Sequence, residues 1–269
     1  MPELPEVETV RRGIAPVLQN AIVEEVVVRE RRMRLPVPKN FRQRLKGRRI
    51  ITIGRRGKYL TFQLDDGGAV IAHLGMSGAF YFSETPPREK HEHVGFQING
   101  RFLIYHDPRR FGGFAVFEGE PENHPLLCEI GPEPLSAKFN GKCLFEALHK
   151  RHSPIKTAVM DGKVVAGVGN IYASESLYLA KIRPQTSAAR LSVVRMSALA
   201  AAIKDVLRRA IRAGGSSMRD FYHPDNSPGY FQTKWKVYGR EGESCQCGGV
   251  IRKIVQSNRA TYYCPRCQR

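Results

Sequence analysis

Tyr59-Leu60-Thr61-Phe62-Gln63-Leu64-Asp65-Asp66-Gly67-Gly68-Ala69-Val70-Ile71-Ala72 reads as two strands and the turn between them. Both runs are rich in aromatic and β-branched residues, which suit a pleated, half-buried surface. Asp-Gly between such runs is a hairpin signal, because glycine accepts the positive φ of a tight turn. The pattern repeats outward. Residues 22–28 and 50–53 precede it; 94–98 and 102–105, joined at Asn99-Gly100, follow, and 112–117 closes the set. Strands at this spacing predict an antiparallel sandwich or barrel.

Ahead of the strands the period changes. Leu4, Val7, Val10, Ile14 and Val17 recur at helical spacing, with Pro5 in the first turn and Glu6 and Glu8 near the positive end of the dipole. A helix is expected over 5–18. Pro2 stands just before it. Removal of Met1 would make the Pro2 nitrogen a secondary amine with a pKa of about 8, partly neutral and nucleophilic. Such an amine condenses with an aldehyde-level carbon to a charged iminium, an electron sink like a lysine Schiff base. Glu3 beside it is a candidate general acid. The plainer reading makes these residues a helix start, and the two are compatible, since the helix would be the post that fixes Pro2.

Gly131-Pro132-Glu133-Pro134 breaks the strand pattern, and beyond it the chain turns helical. Helices are expected at 141–151, at 154–160 with Ser153 as N-cap and Pro154 at the first helical position, at 170–181 and at 192–213, the last stopping at Gly214-Gly215. Residues 216–234 hold Pro224, Pro228 and Gly229 and read as a loop long enough to be a lid.

The chain has 269 residues, 42% of them hydrophobic, which suffices for ordinary cores. No apolar run approaches a membrane span, and the acidic, helical start does not read as a secretory signal, so a soluble cytoplasmic protein is expected. A net charge of +18 points to a polyanionic partner, nucleic acid first. Cys128 and Cys143 stand apart and are expected to be buried packing residues. Cys245, Cys247, Cys264 and Cys267 lie in the tail, flanking two short strands at 250–255 and 260–263. Four thiols so placed suit a closed, tetrahedral structural zinc, with two redox-active pairs as the alternative. The first pair is C-x-C, one residue tighter than the usual spacing.

Three further clusters can carry chemistry. Gly167-Val168-Gly169 leads into Asn170 at a helix start, which is either a tight turn or a phosphate seat. Lys58, in Arg55-Arg56-Gly57-Lys58-Tyr59, is either a surface lysine or a cation aimed at a developing anion. Met76 and Phe111 sit in glycine-flanked loops near Arg109, either as core or as wedges that hold open an unstacked duplex.

Taken together, PELPEVETVRRG at 2–13, RRGKYL at 55–60, HLGMSG at 73–78, DPRRFGG at 107–113, PIKTAVMD at 154–161, VAGVGNIYASE at 165–175 and RATYYCPRCQ at 259–268 resemble the bacterial formamidopyrimidine-DNA glycosylases, or 8-oxoguanine DNA glycosylases. The matches span the whole chain in one order. The resemblance implies an α+β chain: an antiparallel β-sandwich with an N-terminal helix at 1–130, a linker at 131–140, a helical domain with a helix–two-turn–helix motif and lesion-covering loop at 141–234, and a β-hairpin zinc finger at 235–269. It implies a bifunctional glycosylase and abasic-site lyase acting on double-stranded DNA that holds an oxidised purine or an abasic site. Pro2 would attack C1′, Glu3 would act as general acid, Lys58 would assist at the phosphate and lesion, and Glu6 would support the site. Met76, Arg109 and Phe111 would fill the vacated space. His91, Arg109, Lys156, Asn170 and Arg259 would contact DNA. One zinc would sit on Cys245, Cys247, Cys264 and Cys267, through a locally shifted backbone at the C-x-C. A monomer, nucleoid-associated when bound to DNA, is expected. The related endonuclease VIII branch prefers oxidised pyrimidines and opens PEGPE; PELPE, DPRRF and the long loop favour the purine branch. The competing class is a non-catalytic, zinc-dependent DNA-binding protein, which would need neither Pro2, Glu3 nor Lys58.

Overall fold

The computed structural model describes residues 2–216 and 231–269, which fall into two compact units. The first holds Met1–Cys128 and a returning stretch that begins at Gly214; the second holds Glu129–Ala213 and resumes at Phe231.

The first unit opens with α1 (Leu4–Leu18), whose Leu4, Val7, Val10 and Ile14 are fully buried. The strands are β1 (Glu25–Val28), β2 (Ile50–Arg56), β3 (Tyr59–Leu64), β4 (Gly68–His73), β5 (Ala79–Ser83), β6 (Glu92–Ile98), β7 (Arg101–His106) and β8 (Gly113–Glu118). They form two antiparallel four-stranded sheets, ordered β1-β6-β7-β5 and β2-β3-β4-β8. The expected hairpins are present. Asn99 and Gly100 both take positive φ (51° and 74°), as a I′ turn requires. Aromatic side chains join the core: Phe114 lies 5.0 Å from Tyr105 and 5.2 Å from Phe41, ring centre to ring centre. Phe41 comes from α2 (Phe41–Leu45), a one-turn helix the sequence pattern does not announce. β5 is likewise unannounced, and only 25–28 of the expected 22–28 run is strand, Ile22 making an isolated bridge to Arg49.

The second unit has α3 (Gly141–Leu148), α4 (Ile155–Val159), α5 (Asn170–Leu179) and α6 (Val193–Arg212), then the hairpin β9 (Arg252–Gln256) and β10 (Arg259–Tyr263). Asn140 caps α3 through the Cys143 N–H (3.0 Å), and Ser192 caps α6 through the Arg195 N–H. Met196, Leu199, Ile203, Val206 and Ala210 form the buried stripe of α6, which packs on α3 and α5. Three expectations are corrected. The Ser153 side chain does not cap α4, whose N-cap is Pro154 itself. α3 stops at Leu148, short of 151. Cys128 is exposed, and Cys143 is half-exposed because the buried face of α3 is Gly141, Leu144 and Leu148. Most of the expected lesion-covering loop lies outside the described residues. No helix among the described residues is long and apolar enough to cross a membrane.

Candidate active site and nucleic-acid interface

Pro2 and Glu3 are both buried at the start of α1. The helix end fixes them. Glu3 is the N-cap, its side chain accepting from the Glu6 N–H, while Glu6 Oε2 accepts from the Glu3 N–H at 2.8 Å. This reciprocal box satisfies donors that the helix itself leaves open. The other Glu6 oxygen accepts from the Ser216 N–H at 2.8 Å, so one carboxylate holds both the N-terminus and the point where the chain returns. Gly215 (φ 77°) lets the backbone pass within 3.1 Å of Glu6 at the position a Cβ would take.

Lys58 is half-buried in the two-residue turn between β2 and β3. Gly57 takes φ 57°, and a glycine first in such a turn suits the II′ geometry that matches strand twist. His73, which the sequence reading did not single out, pairs with Tyr59 across β3 and β4, with ring centres 4.7 Å apart. Its Nδ1 accepts from the Gly75 N–H at 3.0 Å. Burial, then the charges of Lys58 and Arg34, push its pKa down to about 4, so the ring is neutral at pH 7 and able to donate through Nε2.

Met76 and Phe111 are exposed, at 37% and 38%, so neither is core. The Arg109 guanidinium lies over the Phe111 ring, 4.7 Å from its centre. The two loops interlock. Asp107 is fully buried and accepts from Ser77 Oγ (2.7 Å), Gly112 N–H (2.9 Å) and the Tyr105 hydroxyl (3.3 Å). Ser77 Oγ in turn accepts from the Arg109 N–H. Gly75 lies so close to Phe111 that a Cβ would sit 2.3 Å from the Phe111 carbonyl carbon. His91 lies beside the rings of His93 and His106, in a cleft also lined by Arg29, Lys90 and Arg110.

In the second unit Lys156 is fully buried. Its ammonium donates to Asn170 Oδ1, to Thr261 Oγ1 (2.7 Å) and to the Ala260 carbonyl (3.4 Å). Asn170 Nδ2 reaches the Ala260 carbonyl (2.9 Å) and the Tyr238 hydroxyl (3.3 Å). These residues meet at the N-terminus of α5, and Arg259 is exposed one residue before Ala260 on β10. Glu175, also missed from sequence, is buried and accepts from the N–H groups of Lys236, Val237 and Tyr238 at 2.8–2.9 Å, so it anchors the segment carrying Tyr238.

The sulfurs of Cys245, Cys247, Cys264 and Cys267 all lie within 4.8 Å of one another. Three of their separations are 3.1–3.5 Å. Zinc–sulfur bonds of about 2.3 Å give a tetrahedron with edges of roughly 3.8 Å, so the donor set fits one zinc with no open position. The tight C-x-C is accommodated at Gly248 (φ 75°), whose N–H turns back to the Cys245 carbonyl at 2.9 Å. Backbone N–H groups of Cys247 and Gly249 point to the Cys245 and Cys247 sulfurs and favour thiolates.

Three family models match in chain order: the formamidopyrimidine-DNA glycosylase N-terminal domain over 1–114, its H2TH domain over 130–222, and a zinc finger found in FPG and IleRS over 246–269. These define a helix–two-turn–helix DNA glycosylase with a zinc finger. Formamidopyrimidine-DNA glycosylases of Teredinibacter turnerae and of Pseudomonas aeruginosa are 47% and 49% identical to the chain, over the full length of both partners. The crystal structure of the MutM (Fpg) protein from Thermus thermophilus matches with a TM-score of 0.90 at 39% identity, covering 99% of this chain and 98% of that one. A Lactococcus lactis Fpg variant in complex with a Fapy-dG containing DNA matches at 0.92 and 38%, covering all of both chains. The chain belongs to the formamidopyrimidine-DNA glycosylase family.

Proposed function

We propose that the chain excises oxidised purines, 8-oxoguanine and formamidopyrimidines, from duplex DNA and then cuts the strand at the abasic site. The observation that carries this reading is the pairing of a full-length family match with a Pro2-Glu3 terminus held rigidly by the Glu3–Glu6 box. With Met1 removed, the Pro2 nitrogen attacks C1′ and the damaged base leaves with a proton. Glu3 protonates O4′ as the sugar ring opens, and the nitrogen lone pair forms the iminium. The iminium acidifies C2′; loss of that proton expels the 3′ phosphate, and a second elimination expels the 5′ phosphate. Water then releases the sugar remnant from Pro2.

Lys58 assists at the lesion and its phosphate. Met76, Arg109 and Phe111 occupy the space left by the everted nucleotide, which an enzyme acting on a base must take out of the stack. His91, Asn170 and Arg259 hold phosphates. Buried Lys156 adds its charge and orients Asn170, acting through that amide. Zinc on the four cysteines holds the β9–β10 hairpin that presents Arg259. The protein works as a cytoplasmic monomer on nucleoid DNA.

Single-turnover reactions on three duplexes test this: one 8-oxoguanine opposite cytosine, one oxidised pyrimidine, and an undamaged control. The expected result is free 8-oxoguanine and a one-nucleoside gap flanked by phosphates. Faster release of the pyrimidine would place the chain with the endonuclease VIII branch. Salt-sensitive binding with no release would leave a non-catalytic DNA-binding protein.

A further inference from the structure

Glu8 lies one helical turn beyond Leu4 and is 9% exposed, with three guanidiniums around its single carboxylate. Arg11 bonds both oxygens (2.9 and 3.0 Å), Arg12 Nε bonds Oε1 (2.8 Å), and Arg55 Nε bonds Oε2 (3.2 Å). Arg11 and Arg12 already satisfy the charge from within the helix, at the i+3 and i+4 positions where neighbours meet. Arg55 comes from β2, 47 residues away. Its side chain is only 11% exposed, and its Nη1 donates to the Gly57 carbonyl at 3.0 Å. Gly57 is the first residue of the turn and Lys58 the second. The planar fork of an arginine can hold a carboxylate and a carbonyl at a fixed angle, which a lysine ammonium cannot. Arg11 supports the same join, since its Nη1 donates to the Ile53 carbonyl of β2.

We propose that Arg55 is a positioning residue for Lys58, tying the turn that carries Lys58 to Glu8 on the helix that carries Pro2. The proposal rests on the reading of Pro2 and Lys58 given above. It explains why a third cation is placed against a carboxylate that is already paired. Small displacements of a positioned group are costly in rate even when they leave the fold intact.

The test is a double-mutant cycle in the zinc-loaded protein, read as single-turnover release of 8-oxoguanine. Arg55→Ala is expected to slow release roughly tenfold beside Lys58 and by less than about twofold beside Lys58→Ala, with a melting temperature within a few degrees of the parent. Arg55→Lys should leave release as slow as Arg55→Ala does, and Glu8→Gln should slow release to a similar extent. Independent, multiplying effects of Arg55→Ala and Lys58→Ala would overturn the proposal, as would full rescue by Arg55→Lys. Amide exchange across residues 56–60 needs no turnover. Glu8→Gln should speed it about tenfold beyond what its loss of global stability accounts for, and exchange that tracks global stability alone would overturn the proposal. Borohydride trapping of the parent is run alongside. A parent that forms no adduct at Pro2 defeats the functional reading itself, whereas an adduct with a multiplicative cycle defeats only the role of Arg55.

Discussion

The hydroxyl of Ser77 donates to Asp107 at 2.7 Å, and that bond joins the loop carrying Met76 to the loop carrying Arg109 and Phe111. Asp107 has no exposed surface, and its second oxygen takes the Gly112 N–H and the Tyr105 hydroxyl. Two exposed apolar side chains are thus held by a buried polar clamp. Asp107→Asn turns one acceptor into a donor facing buried donors. A loss of about 2–3 kcal/mol in urea unfolding is expected. If Met76, Arg109 and Phe111 fill the space of an everted nucleotide as proposed, excision should fall further than binding to undamaged duplex. Unchanged excision in a stably folded Asp107→Asn would contradict a wedge built on this clamp.

Glu8 gives the first unit an acid-sensitive joint. Burial pushes its carboxyl up, but hydrogen bonds from Arg11 and Arg12 and the charges of Arg11 and Arg55 outweigh it, leaving the pKa at about 2 instead of 4.5. A carboxylate held below its unfolded value contributes stability above that value and loses it as pH falls through the folded one. Stability measured against pH should therefore show parent and Glu8→Gln differing by a constant amount, about 3 kcal/mol, above roughly pH 5. The gap should close as pH falls from about 4.5 to 2. A gap that is flat across this range would show that Glu8 is not the joint.

Elemental analysis should find one zinc per chain, since the four sulfurs leave no fifth ligand or open position. Buried Cys264 and Cys245 pack with Tyr178, Val237 and Ile251, so metal removal also loosens that small core. Chelation is expected to abolish duplex binding and expose four titratable thiols beyond Cys128 and Cys143. Metal-free protein with intact DNA binding would refute the role of the finger.

Arg259 stands exposed beside the Lys156–Asn170 cluster. If it neutralises one phosphate, Arg259→Ala should make the log–log dependence of affinity on salt shallower by about 0.9. Binding should weaken about equally on damaged and undamaged duplex. An unchanged slope would remove Arg259 from the phosphate contacts.

The parts visible in the sequence are those with a local signature. α1 shows in the spacing of Leu4, Val7, Val10 and Ile14, the hairpins in Asp66-Gly67 and Asn99-Gly100, and the metal centre in four clustered cysteines. α2 shows only Phe41 and Leu45 as buried apolar residues in a basic turn, too few to set a period. The polar clamps are silent for a different reason. Ser77 and Asp107 are 30 residues apart, Glu8 and Arg55 are 47, and Glu175 holds backbone N–H groups some 60 residues on. Charged side chains at such separations look like ordinary surface residues until the fold buries them together. His73 was hidden similarly, since its lowered pKa arises from burial and from Lys58 across a strand pair. Cys143 misled because cysteine is usually buried, whereas here the helix turns another face inward.

Borohydride trapping tests most directly whether the Pro2 nitrogen is the nucleophile. A duplex with one 8-oxoguanine opposite cytosine is incubated with protein lacking Met1, reduced, digested and mapped by mass spectrometry. The expected result is a single covalent protein–DNA species joined through the Pro2 nitrogen, absent in Pro2→Gly and absent when Met1 is retained. An adduct mapped to a lysine, or base release with no trappable species, would contradict it.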